Sequence, residues 1–161
     1  MNEFQLVEVC RQDIGEVSRI HLISFNDGWG GGMIDRILST PDTYGLVARD
    51  SRTWSIAGFV LLRIAVDECE ILSLAVAPKF RGVGVGGLIL DGAMRKAAEL
   101  GSSSLFLEVA EDNPIAVGLY RSRELITVGR RPGYYLNKDG TRTAAVTMSR
   151  ALGKHAFKPL R

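Results

Sequence analysis

The chain is predicted to be an α/β protein, a mixed sheet with helices on both faces, and three observations predict it. Residues 44–48, 54–65 and 71–77 are apolar, largely β-branched runs separated by short polar turns, as in consecutive hairpins. From residue 71 to 120 the pattern changes to strand, glycine-rich loop, helix, strand and helix, so the sheet is not made of hairpins alone. With 161 residues, 46% of them hydrophobic, the chain can bury the core that one such domain needs.

Residues 4–9 alternate as a first strand. Ile14, Val17, Ile20, Leu22 and Phe25 recur at helical spacing, with Asp13 or a neighbour as the cap of a first helix. Residues 26–32 (NDGWGGG) read as a loop, because three consecutive glycines forgo helix propensity. Residues 33–38 suggest a short second helix before Pro41. Asp50, Ser51 and Arg52 form the turn between the next two strands, and Asp67 and Glu68 the turn into the strand at Ile71. Leu90, Ala93, Met94, Ala97 and Leu100 make an apolar stripe on a helix over 88–100, with Asp91, Arg95 and Glu99 outside and Gly101 ending it. Met94 is read as core. The strand over 104–109 is almost continuously apolar, which predicts burial on both faces, and Glu108 interrupts the run. Asn113 is a favoured N-cap and Pro114 suits the first helical position; Tyr120, seven positions after Asn113, returns to nearly the same helix face. The domain is expected to span 1–152, with 153–161 a loose tail.

Composition excludes several classes. A net charge of +2 is too near balance to imply direct nucleic-acid binding, and a short basic end (Arg150, Lys154, Lys158, Arg161) reads as solvated. No run of about 18 apolar residues suggests a membrane span, and Met1-Asn2-Glu3 opens without a secretion signal, so a cytoplasmic location is expected. Cys10 and Cys69 lack CxxC or histidine spacing; both read as small apolar residues, Cys69 within a strand, and no metal site is expected. Neither His21 nor His155 has a partner spacing that suggests catalysis.

The glycine run Arg81-Gly82-Val83-Gly84-Val85-Gly86-Gly87 lies where a strand feeds a helix, and phosphates bind there because free N–H groups and the positive helix end converge. Gly82-x-Gly84-x-x-Gly87 fits the dinucleotide fingerprint, with Glu108 about where a ribose-binding acid falls. Against it, residues 78–81 lengthen the turn before the first glycine, and too little chain follows for a second mononucleotide half. A P-loop needs Gly-Lys-Ser/Thr after its last glycine, yet Leu88 and Ile89 follow Gly87. The third fit is Arg/Gln-x-x-Gly-x-Gly/Ala, filled by Arg81, Gly84 and Gly86.

This third motif resembles the coenzyme A diphosphate loop of the GNAT superfamily of N-acetyltransferases. Leu74-Ala75-Val76-x-Pro78, Leu107-Glu108-Val109, Asp112-Asn113-x-x-Ala116, Leu119-Tyr120 and Arg130-Arg131-x-Gly133-Tyr134-Tyr135 narrow the resemblance to the ribosomal-protein-alanine N-acetyltransferase branch. The resemblance implies a single-domain α/β fold with a mixed, mostly antiparallel sheet, and acetyl transfer from acetyl-CoA to a protein N-terminal amine, with a ribosomal protein's alanine as acceptor. It assigns the general base to Glu108 and the acid for the departing thiolate to Tyr120. Leu74, Ala75 and Val76 would supply backbone donors, Arg81, Gly82, Val83, Gly84, Val85, Gly86 and Gly87 would hold the diphosphate, and Asn113 would meet the pantetheine arm besides capping its helix. Residues 26–29 lie where related enzymes place a loop over the acceptor; Arg130, Arg131, Tyr134 and Tyr135 would fix the acceptor peptide. Asp67, Glu68, Glu111 and Asp112 offer negative charge to a cationic amine. Glu124-Leu125 stand where the family usually carries Gly-Phe, so the turn after Tyr120 is expected to differ. Other readings are transfer to a small-molecule amine, a non-catalytic acyl-CoA-binding module, and a dinucleotide-binding subunit.

Overall fold

The computed structural model describes residues 3–153. Seven strands hydrogen bond in the order β1-β2-β3-β4-β5-β7-β6, with β1 Phe4–Glu8, β2 Thr43–Asp50, β3 Ile56–Ala65, β4 Glu68–Val76, β5 Ser104–Ala110, β6 Ile126–Leu136 and β7 Arg142–Ala151. Among the described residues four α-helices accompany them: α1 Ile14–Ser24, α2 Gly31–Ser39, α3 Val85–Glu99 and α4 Pro114–Ser122. The β4–β5 pairing is parallel, whereas β1–β2, β2–β3, β5–β7 and β6–β7 are antiparallel, so the sheet is mixed and mostly antiparallel. Among the described residues no helix is long and apolar enough to cross a membrane.

The chain forms two compact units, one from the residues up to Arg63 with Leu72–Ala93, the other from Ile64–Ile71 with the residues from Met94 onward. The division falls within β3, β4 and α3, so each of these elements contributes to both units. The expected tail lies outside the described residues except for Gly153.

In the first unit, Val47 of β2 pairs with Phe59 of β3, and the two lie fully buried with Val17 and Ile20 of α1 and Ile34 of α2. Ile56, Leu61, Ala75 and Ala77 complete this cluster. Helix α2 starts at Gly31, so two of the three glycines assigned to a loop are helical. At a helix start their N–H groups need no intrahelical partner, and burial of Ile34 outweighs poor propensity. Asp13 does not cap α1 by its side chain; it accepts from the Cys10 N–H at 2.9 Å and pairs with Arg49. Helix α1 stops at Ser24, leaving Phe25 beyond its end and Leu22 on its exposed side. Cys10 is exposed, contrary to its apolar reading, and its thiol donates to Gln12 Oε1. Trp54 is not in a strand either: it sits at φ +63 in the turn, where Asp50 Oδ1 accepts from the Arg52 and Thr53 N–H groups, and β3 starts at Ile56.

In the second unit, β7 lies between β5 and β6, matching Leu107 to Met148 on one side and Thr127 to Met148 on the other. Strand β5 alternates instead of being buried on both faces: Leu105, Leu107 and Val109 are buried, while Phe106 and Glu108 are half-buried. Cys69 and Met94 are buried as expected. Val66 and Asp67 form the turn before β4, so Glu68 begins the strand. Leu100 lies past the end of α3 and is exposed.

Candidate active site

The loop and the start of α3 belong wholly to the first unit. After β4 the chain makes one 3-10 turn at Pro78–Phe80, and Gly82 and Gly84 follow at φ +78 and +92. An L side chain is strained there. The helix begins at Val85, earlier than its apolar stripe suggested, so Gly86 and Gly87 are in its first turn. The first helical bond runs from the Leu88 N–H to Gly84 O at 3.1 Å, which leaves the N–H groups of Val85, Gly86 and Gly87 ahead of the ladder as donors for an anion. A Cβ added at Gly82 or Gly84 would meet nothing within 4 Å, so a ligand can approach this backbone closely. Donors, helix polarity and open approach fit the diphosphate of a coenzyme A thioester. The Arg81 side chain is turned away from that role: its Nε donates to Val76 O at 3.0 Å and its other nitrogen reaches Ser24 Oγ at 3.4 Å, tying the loop to β4 and α1. Of the adjoining positions, Ala75 faces the core and Leu74 and Val76 are half-buried on the other face.

The titratable groups belong to the second unit. Glu108 projects from the half-buried face of β5, and its Oε1 lies 3.0 Å from a guanidinium nitrogen of Arg131 on β6. Tyr120, near the C-terminal end of α4, is 7% exposed. Its pKa is pushed up to about 12, by burial first and by nearby Tyr135 second. Tyr135, half-buried, is also raised, by burial and then by the charge of Glu108 and by Tyr134. Asn113 caps α4 as expected, its Oδ1 accepting from the Ala116 N–H at 3.2 Å, with Pro114 at the first helical position. Glu108, Tyr120, Tyr135 and Arg131 thus cluster electrostatically, and Asn113 stands at the other end of α4.

The comparison with protein families decides among the readings of the glycine run: residues 14–124 match the model of the acetyltransferase (GNAT) family. The chain belongs to the GNAT family. It is an acetyl-CoA-dependent N-acetyltransferase. A Haemophilus ducreyi protein named [ribosomal protein bS18]-alanine N-acetyltransferase is 34% identical over 141 residues, spanning 88% of this chain and 95% of that one. The crystal structure of the ribosomal-protein-S18-alanine N-acetyltransferase from Escherichia coli has the same fold, with TM-score 0.84, 21% identity, and 98% and 99% of the two chains covered. Arabidopsis thaliana NAA60 in complex with acetyl-CoA also shares it, with TM-score 0.81, 17% identity, and 92% and 98% covered. The dinucleotide fingerprint in this GNAT chain is therefore coincidental.

Three of the four carboxylates expected to attract an amine are otherwise engaged in this GNAT protein, and the fourth, Glu68, is exposed at the start of β4. Glu111 makes two contacts with Arg130, at 2.8 and 3.0 Å, and that guanidinium holds its carboxyl below the usual range; Asp67 accepts from Ser103, and Asp112 from Thr143 at 3.3 Å. The pairing of Arg131 with Glu108 was not readable in sequence, because β7 separates their strands and nothing local encodes that register. His21 was missed too. It is 3% exposed, its Nδ1 accepts from the Trp29 N–H at 2.9 Å, and the two rings stack at 4.4 Å. Ser18 Oγ donates to Trp29 O, so α1 grips the 26–30 loop twice. A His seven positions before a Gly-Trp-Gly segment was the available signal. Among the described residues no group of His, Cys, Asp and Glu could hold a metal ion.

Proposed function

We propose that this acetyltransferase acetylates a protein N-terminal α-amine, that of alanine on a ribosomal protein. The observation that carries this reading is the Haemophilus ducreyi relative, matched over nearly its full length and named for alanine acetylation of ribosomal protein bS18. Chemistry supports it. An α-amine has a pKa near 7.7 to 8.0, so roughly a tenth is neutral at pH 7, whereas neutralising a lysine costs about 3.5 kcal/mol more. One carboxylate suffices for the first task.

In this reading Glu108 receives the proton of the acceptor amine, directly or through a water. Backbone N–H groups near Leu74, Ala75 and Val76 stabilise the tetrahedral oxyanion. Support comes from the β4–β5 ladder, which pairs Glu68–Glu70 with Ser104–Phe106 and ends before these residues. Arg81 to Gly87 would hold the diphosphate by main-chain donors, with Arg81 bracing the loop, and Asn113, besides capping α4, would contact the pantetheine arm. Tyr120 delivers its proton to the departing thiolate. A phenol at about 12 holds that proton firmly at neutral pH. Transfer to an ordinary thiolate, conjugate acid near 8.5, is uphill by about 5 kcal/mol, so the step requires a thiolate made more basic by the same kind of dry surroundings.

Incubation with radiolabelled acetyl-CoA and, separately, a peptide beginning Ala-Arg, an N-blocked lysine peptide and spermidine tests the acceptor. Label confined to the Ala-Arg peptide is expected. Label on spermidine alone would move the assignment to small amines, and cofactor retention with no transfer would make the protein a binding module.

A further inference from the structure

We propose that Arg131 is a displaceable counter-ion: before the acceptor arrives its guanidinium occupies the place on Glu108 that the acceptor's α-ammonium takes up, so acceptor capture exchanges one cation for another. The inference rests on Glu108 being the base. Arg131 lies 3.0 Å from Glu108 Oε1, and its side chain is 61% exposed against 24% for Glu108. An ion pair with so wet a partner is weak and opens at little cost. The carboxylate itself is sheltered enough that leaving it without a cation is unfavourable. An exchange avoids that state: an ammonium brings one positive charge and three donors where the guanidinium brought one charge and its fork.

The guanidinium has a second contact that it already makes while paired with Glu108 and that its release does not require it to give up. Its central carbon lies 5.4 Å from the centroid of the Tyr134 ring, and that ring is set edge-on to Tyr135 at 5.0 Å. The β6 backbone is built for this placement, since its register shifts between Arg131 and Tyr135 and Gly133 lies at φ +60, a bulge that re-aims the side chains around it. Arg130 is paired elsewhere, with both its contacts going to Glu111.

The test is steady-state kinetics with the Ala-Arg peptide. Arg131→Gln removes the competing cation, and the peptide KM is expected to fall at least threefold, with the change in that KM and not in the KM for acetyl-CoA. Arg131→Lys keeps a counter-ion and should restore the higher peptide KM. An unchanged or raised peptide KM in Arg131→Gln, with a native melting curve, overturns the exchange. Glu108→Gln measured alongside separates the two readings. If it loses turnover while Arg131→Gln leaves the peptide KM alone, only the exchange fails; if it keeps full turnover, the base assignment fails and takes the exchange with it. No transfer to the peptide by the unmodified protein contradicts both.

Discussion

His21 is neutral at physiological pH, and its neutrality holds a loop in place. Burial lowers its pKa below the ordinary 6.5, and its Nδ1 is committed as an acceptor to the Trp29 N–H, which puts the proton on Nε2. A group whose folded pKa is depressed contributes its full stability above the unfolded value, near 6.5, and loses it as pH falls through the lower folded value. Tryptophan fluorescence during denaturant unfolding should therefore show the midpoint falling as pH is lowered below about 6.5. In His21→Phe, which keeps the stack without the titration, that dependence should vanish. An equal slope in both proteins would show that other groups carry it. Glu108 and Tyr120 were legible as candidates, because a carboxylate in an apolar strand and a tyrosine two turns after an N-cap are visible locally. Their partners Arg131 and Tyr135 were visible as residues but not as contacts, which depend on strand order.

Two helices of this chain end in the same six-residue turn with different residues at its strained position. At the end of α3 the Ser102 N–H bonds Ala97 O at 2.9 Å and the Gly101 N–H bonds Ala98 O at 3.1 Å, with Gly101 at φ +92. At the end of α4 the Leu125 N–H bonds Tyr120 O at 3.1 Å and the Glu124 N–H bonds Arg121 O at 3.0 Å, with Glu124 at φ +64. The turn after Tyr120 is thus retained without its usual glycine, contrary to the expectation that it would differ. What holds it is Leu125, 1% exposed, whose burial outweighs the strain of a left-handed glutamate. That strain is about 1–2 kcal/mol. Glu124→Gly should then stabilise the protein by about 1 kcal/mol, since the ion pair it gives up with Arg150 involves a glutamate side chain that is 79% exposed. Thermal unfolding should move up by about 2–4 °C; a fall in midpoint would mean the ion pair matters more than the backbone. Element boundaries failed in sequence for similar reasons. Gly31 and Gly32 were read by propensity, which counts least in a first turn, where N–H groups need no partner anyway, and Gly86 and Gly87 were left outside their helix because its apolar spacing begins only after them.

At the scale of the whole molecule, the hairpins and the strand–loop–helix unit were legible because each is local. Strand β7 was not read at all: Arg142–Ala151 is rich in alanine, a poor strand former, and it enters the sheet between β5 and β6 through pairings its own pattern does not announce. The division into units sets the candidate diphosphate loop apart from the candidate base and acid. That loop and Leu74, Ala75 and Val76 fall in the first unit, and Glu108 and Tyr120, with Asn113 as the candidate pantetheine contact, in the second. Binding and proton transfer should accordingly separate under substitution. The decisive measurement is acetyl-CoA affinity by calorimetry together with turnover at saturating substrates for Glu108→Gln, with Tyr120→Phe as its companion. The account predicts wild-type affinity within a factor of about two and turnover reduced at least tenfold in each, general acid–base groups being worth roughly 10²–10⁴. Full turnover in Glu108→Gln at unchanged affinity would contradict it.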